Sequence, residues 1–147
     1  MKIRNILLVL ILSLSISSCK TQMEKDDEII QEYLANNNLT ATKHESGLYY
    51  IIENEGSGES PDLYSKIDFR YKGYLTDGTV FDQTNDGDTA SYVLNRLIYG
   101  WQIGIPLLKK GGKEILLIPS ELGYGSMATT IIPANSVLIF EIELIDF

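Results

Sequence analysis

Ser65-Lys66-Ile67-Asp68-Phe69-Arg70-Tyr71-Lys72 alternates strictly, with Ile67, Phe69 and Tyr71 at one parity and Lys66, Asp68, Arg70 and Lys72 at the other. A period of two with one apolar and one charged face is the pattern of a half-buried strand in an antiparallel sheet. Asp77-Gly78 follows as a turn, and Thr79 to Phe81 returns as the next strand. Further on, Leu138, Phe140, Ile142 and Leu144 share one face of a last strand running from Val137 to Phe147, with Glu141 and Glu143 opposite. Two weaker strands lie at Leu48–Glu53 and Glu114–Ile118, and a short one at Tyr92–Leu94.

Between these strands, about Gly100 to Leu108 reads as a helix with Trp101, Ile105 and Leu108 on one face. Pro106 has no N–H to donate, so that helix is short or bent, and Gly111-Gly112 ends it. Glu121 to Asn135 is a long loop punctuated by Gly123, Gly125 and Pro133. The expected architecture is α+β: an antiparallel sheet of about five strands wrapped around one short helix.

The chain has 147 residues, enough for one domain with a core. Residues 1–18 carry Lys2 and Arg4, an apolar run from Ile6 to Leu14, and small residues before Cys19. That is the layout of a secretory signal, and the run is too short to span a bilayer. Cys19 is the sole cysteine, which excludes an intramolecular disulfide. Ile16-Ser17-Ser18-Cys19 resembles a bacterial lipobox, implying lipidation of Cys19 and an anchor in the cell envelope; a plain signal peptide or an uncleaved anchor are the other readings. Lys20 after the cysteine resembles lipoproteins sent on to the outer membrane, facing the periplasm. Residues 19–45 read as a tether with a short helix over Glu28–Leu34, and residues 46–147 as the globular domain.

Cleavage before Cys19 removes Lys2 and Arg4 and no acidic residue, leaving 10 basic residues against 20 acidic ones, a net charge of −10. Such a surface argues against nucleic acid and against docking on anionic headgroups, so the lipid alone supplies membrane attachment.

The usual reactive groups are missing from the pattern. His44 is the only histidine and lies outside the globular part, with no second histidine for a metal pair or a relay. Gly111-Gly112 and Gly123-x-Gly125 lack the lysine and hydroxyl of a phosphate loop. No cofactor and no metal are expected. What remains is a set of apolar and aromatic residues that reads as one concave pocket.

The residues carrying that pocket form an ordered series. It runs Tyr71-x-Gly73, Asp77-Gly78-x-x-Phe81-Asp82, Ile98-x-Gly100-Trp101, Gly111-Gly112, Tyr124-Gly125, Ile132-Pro133 and Leu138-x-Phe140-x-Ile142-x-Leu144. In order and spacing, from about Ile67 to Phe147, this resembles an FKBP-type peptidyl-prolyl cis-trans isomerase domain. The resemblance implies a pocket between helix and sheet with Trp101 as its floor. It implies walls of Tyr71, Phe81, Leu97, Ile98, Ile132 and Phe140, with Asp82 and the Tyr124 hydroxyl as polar members. The Ile98 N–H would hold the ligand carbonyl.

Residues 71, 81, 82, 101, 124 and 140 are thus the expected catalytic set, and Leu97, Ile98 and Ile132 the expected substrate-binding set. Proline-containing exported polypeptides are the implied partners, and a macrolide the implied inhibitor. The chain departs from the family pattern at Ala90, where a bulky aromatic is common and where one wall would open. It departs also at Arg96 on the rim and in the loop Ser126–Thr130, which is about one residue short. Ala90 and that loop leave open a second reading: a non-catalytic proline-peptide-binding or assembly subunit of an envelope machine such as a gliding or secretion apparatus.

Overall fold

A computed structural model describes residues 19–147; residues 1–18, read above as a secretory signal ending in a lipobox, lie outside the described residues. Helix α1 (Gln22–Asn36) leads into strands β1 (Thr42–Lys43), β2 (Tyr49–Asn54), β3 (Lys66–Leu75), β4 (Val80–Gln83) and β5 (Ala90–Val93). Helix α2 (Tyr99–Gly104) follows, then β6 (Lys113–Ile118) and β7 (Leu138–Asp146), with 3-10 turns at Leu94–Arg96, Ile105–Leu107 and Ser120–Leu122. The fold is α+β, as expected, but the described residues form seven strands rather than about five, and the short helix expected over Glu28–Leu34 is part of the longer α1. Six of these strands correspond to stretches read individually in the sequence; the two-residue β1 is the one that does not.

Every pairing is antiparallel, in the order β1-β2-β6-β7-β3-β4. β5 pairs with the first half of β3, matching Lys66–Phe69 to Val93–Ala90, while β4 pairs with its second half. One long strand therefore serves two short partners. The alternation in β3 is realised: Ile67 and Phe69 are buried and Lys66 and Arg70 exposed.

The concave face of the sheet wraps α2. Ile67, Phe69, Leu116, Ile118, Leu138, Phe140, Ile142 and Leu144 pack there with Trp101, Ile105 and Leu108 in one apolar core. α2 is only six residues long and passes into a 3-10 turn at Ile105–Leu107, where Pro106 sits; the lost donor shortens it, as the sequence requires. Its close approach to β6 depends on Gly100 and Gly104. A Cβ on Gly100 would lie 2.6 Å from Ile118 Cγ2, and one on Gly104 would lie 2.6 Å from Leu116 Cδ2. Side chains there would push the helix, and Trp101 with it, off the sheet.

The convex face carries a second core. Ile30 and Leu34 of α1 pack with Tyr49, Leu117, Val137 and Ile139. The helix begins at Gln22, six residues before the expected start, and takes up much of the stretch read as a tether. Thr21 and Glu24 close its N-terminus as a reciprocal capping box. On its sheet-facing side, the Asp27 carboxylate pairs with Lys43 and accepts from the Tyr49 hydroxyl at 2.7 Å, and Lys43 first, then Tyr49, hold it below the ordinary carboxylate range.

Candidate active site

α2 and the residues just before it, β3, β4, β5, β7 and the loop after the Ser120–Leu122 turn converge at one end of the concave face around a cavity of about 190 Å³. Its floor is Trp101, only 4 % exposed. The indole stands nearly edge-on to its neighbours: the centroid distances are 4.8 Å to Phe69, 5.5 Å to Tyr71 and 5.2 Å to Phe140, with interplanar angles of 69°, 84° and 90°. Phe81 meets Phe140 at 5.4 Å and 81°. Edge-to-face contacts of this kind add to the burial energy and fix ring orientation, so the walls are set before any ligand arrives. The indole Nε1–H is buried and finds no acceptor among the described residues.

Polar groups are few and placed at the mouth. The Tyr71 hydroxyl donates to the Asp82 carboxylate at 2.6 Å, and the other Asp82 oxygen accepts the Gln83 N–H at 2.9 Å. Burial, and then the hydrogen bond to Asp82, push the Tyr71 phenol well above its ordinary range, so it stays a neutral donor. Leu97 and Ile98 line the side next to α2. Ile98 is the N-cap of α2, and its own N–H donates to no acceptor within the described residues. Tyr124 closes the opposite side, held in a tight turn in which the N–H groups of Gly123 and Gly125 both donate to the Ser120 carbonyl, at 2.9 and 2.8 Å.

Eight of the nine expected pocket residues line this one cavity: Tyr71, Phe81, Asp82, Leu97, Ile98, Trp101, Tyr124 and Phe140. Ile132 does not. It is buried in the apolar core, its N–H bonded to Thr129 Oγ1 at 2.9 Å and its carbonyl accepting from the Thr129 N–H at 2.8 Å. It belongs to the same apolar cluster as Trp101 and Phe140, behind the cavity wall rather than on its surface.

Two lining residues were not anticipated. Phe69 shares the inward face of β3 with Tyr71, and that parity was visible in the alternation. Tyr92 is the larger correction. Ala90 and Tyr92 sit opposite Phe69 and Ile67 on β5, on the same face. Tyr92 is 56 % exposed, with its ring 6.3 Å from that of Phe69, so the wall expected to open at Ala90 is lined two residues later.

A wider groove of about 560 Å³ lies on the convex face. Its lining is dominated by charged side chains that pair among themselves: Glu143 meets Arg70 at 3.6 Å and Lys113 at 3.3 Å. It gathers no aromatic cluster, and the smaller aromatic cavity is the better-built site.

Comparison with known proteins bears on the same region. The family model for FKBP-type peptidyl-prolyl cis-trans isomerase matches residues 58–145. A relative from Buchnera aphidicola subsp. Schizaphis graminum, the FKBP-type peptidyl-prolyl cis-trans isomerase FkpA, is 48 % identical over 107 residues, covering 71 % of this chain and 42 % of the relative. The crystal structure of FkpA from Escherichia coli superposes with a TM-score of 0.74 at 36 % identity, over 85 % of this chain and 62 % of that one. A peptidyl-prolyl cis-trans isomerase from Pseudomonas syringae pv. tomato gives a TM-score of 0.71 at 28 % identity, over 87 % of this chain and 97 % of that one. The chain spans about half the length of the curated relatives it matches.

Proposed function

Because this chain belongs to the FKBP-type peptidyl-prolyl cis-trans isomerase family, we propose that it catalyses cis/trans exchange of X–Pro bonds in exported proteins. In this reading the lipidated Cys19 anchors it in the cell envelope, at the outer membrane and facing the periplasm. The observation that carries the catalytic part is the edge-on cluster of Trp101, Phe69, Tyr71 and Phe140 around a cavity with so few polar groups.

Rotation about a peptide bond must break amide resonance, a barrier of about 18–20 kcal/mol. For X–Pro the two isomers are close in energy, yet exchange takes tens to hundreds of seconds. Raising turnover from on the order of 10⁻² to 10³ per second requires roughly 7 kcal/mol. Binding the twisted amide better than either planar form is enough to supply it. In the twisted amide the nitrogen lone pair no longer delocalises onto the oxygen, so the carbonyl is less polar than in the ground states. An apolar wall that strips water from it therefore costs the ground states more. The pyrrolidine ring would sit on Trp101 between Tyr71 and Phe140, with Phe81 against its edge. The unpaired Ile98 N–H supports a role in holding the substrate carbonyl, and Leu97 flanks it. Asp82, tied to Tyr71, keeps that ring upright, and Tyr124 closes over the substrate. A macrolide occupying the same cavity would compete.

The test is a proline-limited refolding assay with purified protein at micromolar concentration. Acceleration of the slow phase, abolished by a macrolide, is the expected result. An unchanged slow phase together with binding of proline peptides would favour a non-catalytic binding subunit instead.

A further inference from the structure

Asp26 is fully buried although it lies on the N-terminal helix α1. Its Oδ2 accepts two hydrogen bonds from one residue, Ser120: the backbone N–H at 2.7 Å and the hydroxyl at 2.6 Å. Its Oδ1 accepts from Gln22 Nε2 at 2.7 Å. Ser120 is also fully buried and is the first residue of the 3-10 turn Ser120–Leu122. The preceding residue, Pro119, offers no side chain to accept the first N–H of that turn. Asp26 does this from 94 residues away.

Adhesion of α1 to the sheet does not require this arrangement, since Ile30 and Leu34 already supply an apolar contact. A buried carboxylate adds direction. Because it holds both donors of Ser120, it leaves that residue's peptide plane little freedom. The Ser120 carbonyl in turn accepts from Gly123 and Gly125, the two residues flanking Tyr124, and Gly125 is pinned on its far side by the Asn135 N–H at 2.8 Å. The connected path is Asp26 carboxylate, Ser120, the Gly123–Gly125 turn, and the Tyr124 side chain lining the cavity.

We propose that Asp26 is a positioning residue for the active site: by gripping Ser120 it sets the turn that presents Tyr124 to the substrate proline. The inference rests on the isomerase reading above for its kinetic consequence, and on geometry alone for its structural one.

The test uses purified full-length protein, at a temperature where circular dichroism shows every variant folded. Asp26→Ala lowers kcat/KM about tenfold, the scale expected when a contacting group is displaced by a fraction of an ångström. Asp26→Asn, which keeps one acceptor oxygen, recovers most of the loss. In a Tyr124→Ala background the Asp26→Ala change has little further effect, since the group it positions is already gone. Ile30→Ala serves as the control, because it weakens the same helix without touching Ser120. A fluorine resonance from 3-fluorotyrosine at position 124 shifts in Asp26→Ala and not in Ile30→Ala.

Equal losses from Asp26→Ala with and without Tyr124, or the same fluorine shift in Ile30→Ala, would overturn the proposal and reduce Asp26 to a tether. If the wild-type protein fails to accelerate exchange, the isomerase reading falls, and the fluorine comparison still decides whether Asp26 positions Tyr124.

Discussion

Tyr71 on β3 and Asp82 on β4 are joined by a 2.6 Å hydrogen bond that spans a diagonal of the strand pair, since Asp82 lies directly opposite Gly73. The bond ties the rim of the cavity to its wall, because the same Tyr71 ring stands 5.5 Å from Trp101. Tyr71→Phe keeps the ring and loses the tether. A net hydrogen-bond contribution of about 1 kcal/mol makes the expected loss in kcat/KM roughly fivefold. Asp82→Asn should cost less, since the amide oxygen still accepts. Burial and then Asp82 raise the Tyr71 phenol well above its ordinary range, so it does not ionise during the assay. Its contribution should be constant between about pH 6 and 9. A titration of kcat/KM in that interval that follows Tyr71, and vanishes in Tyr71→Phe, would contradict this.

Trp101 is the only tryptophan in the chain and is nearly buried on the cavity floor. Its emission therefore reports occupancy of the cavity without a label. Addition of a proline-containing tetrapeptide should change intensity or wavelength saturably, and an alanine-for-proline peptide should not. Trp101→Phe preserves an aromatic floor and should fold while losing turnover. Trp101→Ala removes so large a buried side chain that a loss of about 3–5 kcal/mol in stability is expected with it. The phenylalanine variant is thus the informative one, read by refolding kinetics against its own denaturation midpoint.

Gly73 lies opposite Asp82 of β4 on one side and Phe140 of β7 on the other, the two strands that flank this half of β3. A Cβ there would stand 2.6 Å from Phe81 Cε2 and 2.7 Å from Phe140 Cε1. Both rings occupy the space that a side chain would fill, and their 81° edge contact depends on it. Gly73→Ala should cost about 1–3 kcal/mol through overpacking. Because the displaced rings are cavity walls, kcat/KM should fall while the protein is still fully folded. A variant that loses stability with unchanged kcat/KM would separate the glycine from the site.

The strands were legible wherever one face is apolar and the other charged, as in Lys66–Lys72 and Leu138–Leu144, because burial imposes a period of two. The short α2 was legible from Trp101, Ile105 and Leu108 together with Pro106. The cavity was legible as an ordered series of weak blocks, and Phe69 could have been added by parity. What stayed hidden depends on partners distant in sequence. Gln22 to Asp27 is too polar to read as a packed helix, and its burial makes sense only once Ser120 and Tyr49 stand beside Asp26 and Asp27. Tyr92 could be recognised as a wall only with the β3–β5 register in hand, since that pairing sets it opposite Ile67 and beside Phe69. Ile132, read as a pocket residue, is buried in the core that also holds Trp101 and Phe140; an apolar residue in a loop can serve a core or a mouth, and local sequence does not decide between them.

Glu114 on β6 is 1 % exposed, neither carboxyl oxygen has a hydrogen-bond partner among the described residues, and its cross-strand neighbours are Ile52 and Ile142. Burial pushes its carboxyl up from 4.5 to about 8, so near neutrality the folded protein holds a proton there that the unfolded chain has released. The folded form is therefore favoured most below the ordinary value of 4.5, and that advantage is lost as pH rises toward about 8. The slope is roughly 1.4 kcal/mol per pH unit. Glu114→Gln removes the ionisation while keeping the shape. The variant should gain on the wild type by about 2–3 kcal/mol between pH 5 and pH 7, read as a growing separation of urea midpoints at constant slope. Above about pH 8 the separation should level off. A difference between the two proteins that stays the same at every pH would mean that Glu114 titrates in the folded protein as it does in the unfolded chain, and that some cation or water reaches it.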